Sequence, residues 1–111
     1  RFSYVRGPEE YPSFPELDRD PTAQKWNLWG YIDTRDAARA VTLALDCDVT
    51  GFEAVNIAAA DTVMSTPSTE LMAALFPEVP FREPIEGVGS LTDMRKAEKL
   101  LGWVPEHSWR D

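Results

Sequence analysis

The sequence predicts an α/β fold, and three observations carry the prediction. Stretches with strand character alternate with stretches of helical period, in the order strand, helix, strand, helix, short strand, helix. The segment Phe52 to Ala58, FEAVNIA, is almost continuous in small and apolar residues, the pattern of a strand covered on both faces in a parallel sheet. The stretch from Trp26 to Asp46 runs from an aromatic cluster (Trp26, Trp29, Tyr31) directly into an amphipathic helix.

Taken in order, Arg1 to Val5 holds aromatic and β-branched residues and reads as the first strand, stopped by Gly7-Pro8. Residues 8 to 25 hold Pro8, Pro12, Pro15 and Pro21 and read as a long irregular segment, either a surface excursion or a lid over a pocket. A helix follows from Thr34 to Asp46. Asp33 is its expected N-cap, and Asp36 is a first-turn carboxylate that suits the helix dipole. Ala37, Val41, Ala44 and Leu45 recur with helical period and are the expected packing stripe, with Arg35, Arg39, Thr42 and Asp46 opposite. Turn residues ending at Gly51 lead into the interior strand 52–58. Ser65 or Thr66 is placed to cap a second helix with Pro67 at its first position, Leu71, Met72 and Leu75 on its packing face and Pro77 at its end. Pro80 to Glu83 reads as a short strand, and Gly87 and Gly89 mark a turn. Thr92 or Asp93 caps a third helix whose Met94, Ala97 and Leu101 face one way. Gly102 sits at its C′ position, with Trp103 making the hydrophobic contact that follows, and the tail VPEHSWRD is extended.

Length and composition bound the function. The chain has 111 residues, 43% of them hydrophobic and 27% charged, which is a globular composition with room for one domain of modest core. No apolar run approaches the ~20 residues that span a bilayer, and no signal-peptide pattern opens the chain, so a cytoplasmic location without membrane contact is expected. The formal charge of −8, with no cluster of Lys and Arg, argues against nucleic acid as a partner. It would also repel an anionic substrate unless a few basic groups were focused on the site. The lone Cys47 excludes an internal disulfide. The chain opens at Arg1 in a strand and without an initiating Met, which suggests the C-terminal part of a longer protein.

Several chemistries are missing from the sequence. There is no G-x-G-x-x-G loop, and so no dinucleotide phosphate site within these residues. No Cys/His set has zinc spacing, so no metal site is expected, and no G-x-S-x-G is present. His107, the only histidine, lies between Glu106 and Ser108 and reads as a solvated or packing side chain. Among 19 carboxylates pairs arise by chance, and Asp33 with Asp36 is more simply a cap and a first-turn charge than an acid/base pair.

Four segments in order carry a resemblance. WGYIDTRDAARAVTLAL resembles the Y-[VI]-D-x-[RD]-D-x-A-x-A segment of the extended short-chain dehydrogenase/reductases, the NAD-dependent epimerase/dehydratase family. RFSYVRGP is similar to that family's R-x-x-N-V-x-G-P strand and turn, FEAVNIAAAD to its V-F-N-I-[AG] strand, and LTDMRKAEKLLGWVPEHSWRD to its D-x-x-K-A-x-x-x-L-G-W-x-P-x-x-S ending. Together they span nearly the whole chain. The resemblance implies that residues 1–111 are the C-terminal substrate-binding region of a nucleotide-sugar epimerase-like enzyme, a small α/β unit whose first strand joins a Rossmann sheet. The family's N-terminal Rossmann domain, absent from these residues, binds NAD or NADP, carries the Y-x-x-x-K pair, and forms homodimers through its helices. No Tyr here is followed four residues later by Lys, so the resemblance assigns neither the catalytic pair nor the cofactor to this chain.

The implied substrate is a nucleotide-activated sugar or related polyol, and the implied activity is that of an oxidoreductase or isomerase. Trp29 and Tyr31 would supply a stacking face and a hydroxyl, Arg6 and Arg82 would meet anionic groups, and Tyr4 and Asn56 would complete the site. Two positions depart from the family pattern: Tyr4 stands where the family often has Asn, and Trp29 where its epimerases place an Arg for the diphosphate. Core packing for Trp29 and Tyr31, and a solvated charge for Arg82, are the structural alternatives. A non-catalytic dinucleotide-binding sensor or scaffold of the same fold, or a stand-alone interaction domain, are the functional ones.

Overall fold

The computed structural model describes residues 1–111. The chain is mixed α/β and is laid around one short strand, β2, Tyr31–Asp33. It pairs in parallel with β1, Tyr4–Arg6, with Tyr4 opposite Tyr31, Val5 opposite Ile32 and Arg6 opposite Asp33. Successive side chains of a strand point to opposite faces. Tyr31 therefore enters one core, with Phe14, Trp29, Ala59, Val63, Met64, Leu71 and Met72. Ile32 enters a second, with Ala37, Ala40, Ile57, Ala97 and Trp103. Gly30, at the entry to β2, is needed for its size: a Cβ there would stand 2.9 Å from Ser3 Oγ.

The segment expected as an interior strand takes part mainly through Ile57. Its N–H donates to Arg1 O at 2.8 Å and its carbonyl accepts from Ser3 N–H at 3.0 Å, a parallel bridge to Phe2. The chain then passes β2, where Ala59 N–H donates to Tyr31 O and Val63 N–H to Trp29 O. Phe52, at its start, is 92% exposed, so the strand reading holds only for the end that reaches the sheet. Pro80–Glu83 is an exposed loop and not a strand. The proline-rich stretch is more ordered than expected. Pro8–Ser13 forms a 3-10 turn and Phe14–Leu17 a one-turn helix, α1, with Pro8 and Pro15 in the first turns, where the missing N–H costs nothing. Phe14 is fully buried against Tyr31 and Trp109, with ring centroids 5.2 and 5.4 Å away, and makes this segment a wall of the first core.

The main helix, α2, spans Thr34–Asp46, and Asp33 Oδ1 caps it by accepting the Arg35 N–H at 2.8 Å. Its packing face differs from the expected one. Asp36, Ala37 and Ala40 are buried and Leu43 packs beside them, whereas Val41 and Leu45 are 47% and 82% exposed. The helix is turned so that Asp36 reaches the C-terminal tail, and the small Ala37 and Ala40 share the second core with the fully buried Trp103. α3, Ser68–Leu75, begins one residue later than the sequence suggested. Pro67 occupies the cap position, and Ser68 donates its hydroxyl to Gly89 O at 2.6 Å. α4, Arg95–Leu101, buries Ala97, while Asp93 Oδ1 takes the Arg95 N–H at 3.0 Å. Gly102 ends α4 at φ +64°, its N–H reaching Ala97 and Glu98 carbonyls, and Trp103 follows it into the second core. No helix is long and apolar enough to cross a membrane.

Asp36 ties the tail to α2. Its Oδ2 accepts the N–H groups of Glu106 and His107, both at 2.9 Å, and its carbonyl accepts the Trp103 indole N–H at 3.0 Å. His107 Nδ1 lies 3.1 Å from Oδ1, so this histidine packs against the anchor. Asp36→Ala would strand two backbone donors and is expected to lower the unfolding free energy by about 2–4 kcal/mol. Urea unfolding of the variant checks the value, and an unchanged midpoint would remove Asp36 from the anchor.

Candidate functional site

Two cavities lie side by side and share Leu28, Leu91, Thr92 and Asp93 as their common wall. The smaller, about 390 Å³, opens between Arg1–Tyr4 and Asn56–Ala58 with Trp26 and Asn27 at its rim. The larger, about 770 Å³, is bounded by the end of α3, the loop from Val79 to Ile85, the start of α4 and Trp103–Pro105. Both volumes fall in the range of small-molecule sites.

The loop over the larger cavity is an arch fastened at both feet. Phe76 closes α3 through its N–H to Met72 O at 2.8 Å. At the other foot Ser68 N–H donates to Gly87 O at 2.8 Å, and Thr62 N–H donates to Val88 O at 2.9 Å. Between the feet, Arg95 binds both Glu83 and Asp93 and ties the arch to α4. The Arg95 guanidinium, with the Arg95 N–H, holds the Asp93 carboxyl down at about 2. Arg82, on the same arch, forms no ion pair and lines the cavity.

The partition between the cavities is made by unusual backbone. Leu28 and Trp29 both have φ +55°, a left-handed conformation that costs a non-glycine residue of order 1–2 kcal/mol. Surrounding contacts hold it: the Trp29 indole N–H donates to Pro21 O at 2.7 Å and its backbone N–H to Gln24 O at 3.1 Å. The double reversal drops the Trp29 ring into the first core and leaves the Leu28 side chain on the wall of both cavities. Asn27 donates from Nδ2 to Gln24 Oε1 at 3.0 Å, and its buried Oδ1 has no partner.

The six sequence candidates separate into four groups. Tyr4 and Asn56 meet in the smaller cavity, where Asn56 Nδ2 donates to Asp93 O at 3.2 Å. Arg82 stands in the adjoining larger one. Arg6 lines neither: its guanidinium stacks 3.5 Å from the Tyr4 ring centroid and pairs with Glu10 at 3.3 Å, so it supports Tyr4 from behind. Trp29 and Tyr31 are fully buried in the first core, the packing alternative the sequence left open. The Tyr31 hydroxyl donates to Asp61 Oδ1 at 2.7 Å and accepts the Trp109 N–H at 2.9 Å, which fastens the end of the chain. Burial, and then the Asp61 carboxylate, push this phenol above its ordinary range.

Sequence reasoning missed Trp26 as a site residue. It is 77% exposed, stacks edge-on against Phe76 at 6.2 Å, and has Lys25 Nζ 4.5 Å over its ring. The signal available was its place beside Lys25 and Asn27, just outside the residues that pack. The Glu83–Arg95–Asp93 chain was also missed: Asp93 and Arg95 are near neighbours, but Glu83 reaches Arg95 only through the arch. The walls offer recognition groups: amide, hydroxyl and guanidinium donors on an apolar ground. No group of three or more His, Cys, Asp or Glu side chains is placed to hold a metal ion. No family model, curated protein or solved structure matches the chain.

Two buried carboxylates give this frame an acid response. The Arg35 guanidinium holds Asp33 well below the usual carboxylate range against the cost of burial, with the Tyr11 hydroxyl assisting. Burial alone would raise Asp36, but the Glu106 and His107 N–H groups, His107 and Arg39 keep it lowered. A folded value below the unfolded value of about 3.9 gives stability that is present above that pH and is lost as pH falls below it. The protein should therefore lose stability progressively below about pH 4. Asp36→Asn, measured by urea unfolding from pH 7 down to pH 2, should flatten that loss, and an unchanged slope would remove Asp36 from the account.

Proposed function

We propose that this chain is the substrate-binding C-terminal part of an NAD(P)-dependent oxidoreductase or epimerase/dehydratase of the extended short-chain dehydrogenase/reductase type, acting on a nucleotide-activated sugar or a related polyol in the cytoplasm. The observation that carries the reading is where the cavities lie. The smaller opens at the seam of segments that resemble the family, the start of β1, the Asn56–Ala58 passage and the loop leading into α4, and the larger shares the last of these with it. Three of the six candidate residues, Tyr4, Asn56 and Arg82, stand on their walls.

In this reading the smaller cavity receives the sugar. The Asn56 amide and the Tyr4 hydroxyl exchange hydrogen bonds with its hydroxyls, and the exposed Trp26 covers an apolar face of the ring. Arg82 in the larger cavity meets the anionic portion. The nicotinamide cofactor and the tyrosine base with its lysine would come from a preceding Rossmann domain, and the cofactor would supply the hydride chemistry. The role of residues 1–111 is then to place one substrate carbon against that cofactor. Support for a further packed unit comes from the outward face of α2, where Val41 and Leu45 lie open to solvent, and from the exposed Phe52.

The test is hydride transfer by the protein that carries this chain, with NAD+ or NADP+ and a panel of nucleotide sugars and free polyols. Arg82→Ala should raise KM by about tenfold or more for an anionic substrate while kcat changes little. Asn56→Ala should weaken every sugar substrate in the panel. A panel in which no member gives reduction of a cofactor, epimerisation or dehydration would defeat the proposal, and an unchanged kcat/KM in Arg82→Ala would take Arg82 out of the site.

A further inference from the structure

The larger cavity carries a chemistry that a sugar alone does not explain. Its walls are predominantly apolar, with Met72, Phe76, Val79, Phe81, Ile85 and Trp103 around one chamber. Val79 and Phe81 are 51% and 43% exposed, although they sit on an arch whose two feet are fixed. A polyol or a phosphate chain gains little from such walls, because their hydroxyl and oxygen groups would give up water without a replacement partner. An apolar body gains from every contact.

The polar groups of the same cavity narrow the choice. Arg95 is occupied by Glu83 and Asp93, and those two carboxylates are occupied by it. Ser90 Oγ accepts the Thr92 N–H at 3.2 Å. Two charged side chains on the wall have no ion pair: Arg82, on the arch, and Glu98, on α4. A nucleobase presents several donors and acceptors along one edge, and the groups that could answer them are largely taken.

We propose that the larger cavity binds an apolar, aryl or acyl, body bearing a single anionic group, with the body against the Phe76–Val79–Phe81 wall and the anion on Arg82. Glu98 is then an unpaired carboxylate that opposes the anion and selects against more highly charged ligands such as a diphosphate. This deepens the function proposed above and rests on it for the sugar end only. Within that reading, it selects a polyol substrate with an apolar anionic tail over a nucleotide sugar.

Direct binding tests it without turnover, so a failure here and a failure of the oxidoreductase reading are told apart. The full protein is titrated calorimetrically with naphthalene-2-sulfonate, with 2-naphthol as the neutral body and uridine diphosphate as the nucleotide comparator. The sulfonate should bind at one site per chain and about tenfold more tightly than 2-naphthol. Arg82→Gln should abolish that preference. Glu98→Gln should tighten the sulfonate or leave it unchanged, and Phe81→Ser, on the exposed arch, should weaken both naphthalene ligands. Displacement of the sulfonate by uridine diphosphate would overturn the proposal in favour of a nucleotide site. Sulfonate affinity that is indifferent to both Arg82→Gln and Phe81→Ser would overturn it as well, since the sulfonate would then be held elsewhere.

Discussion

Much of this structure depends on one buried carboxylate. Asp36 lies in the first turn of α2, fully shielded from solvent, and its charge is answered by backbone N–H groups of Glu106 and His107 and by Arg39. A buried charge is tolerable only when it is bonded on all sides, so the tail has little freedom to leave. The same residue accepts the Trp103 indole N–H through its carbonyl, and Arg39 reaches on to Val104 O. The end of the chain, far away in sequence, is thereby made part of the helix that follows β2. The segments Y-I-D-T-R-D and L-G-W-V-P-E-H-S, which carry two of the family-like patterns, are the two partners in this one contact.

From that anchor the two cores follow. β2 is three residues long, and each face of it fills a different core. The tail closes the second core through Trp103 and returns to the first through Trp109, whose indole N–H donates to Thr62 O at 3.0 Å. Trp29 and Tyr31 are spent on this packing, which is why aromatic residues that look like a binding surface in the sequence end up inside. The left-handed pair Leu28–Trp29 is the turn that permits it: one side chain goes to the core and its neighbour to the cavity wall. The site is thus a by-product of how the first core is closed, and the strain at its partition is held by the bonds around Trp29.

How much of this was legible varies with how local each feature is. The cap at Asp33, the bounds of α2 and the end of α4 at Gly102 depend on a few neighbouring residues, and the sequence showed them. The buried face of α2 did not follow from its apolar residues, because Asp36 and the alanines form it and a tail contact decides it. Phe14 was hidden in a proline-rich stretch whose prolines order short turns. Tyr4, Asn56 and Arg82 reached the cavities, yet Arg6 turned back onto Tyr4 and Glu10. The Glu83–Arg95 pair depends on an arch closing over a helix, which no local pattern encodes.

The proposed role requires a second body of protein that carries the cofactor and the base. Exposed Val41, Leu45 and Phe52 are apolar groups that such a body would cover. The most direct test is to isolate the protein from its native source, measure its intact mass and sequence the polypeptide on the amino-terminal side of Arg1. A chain about three times this length, with a glycine-rich loop after its first strand and Tyr-x-x-x-Lys midway, is the predicted result. A native chain of these 111 residues alone, unfolding cooperatively and without self-association, would contradict the account and leave two cavities with no hydride chemistry to serve.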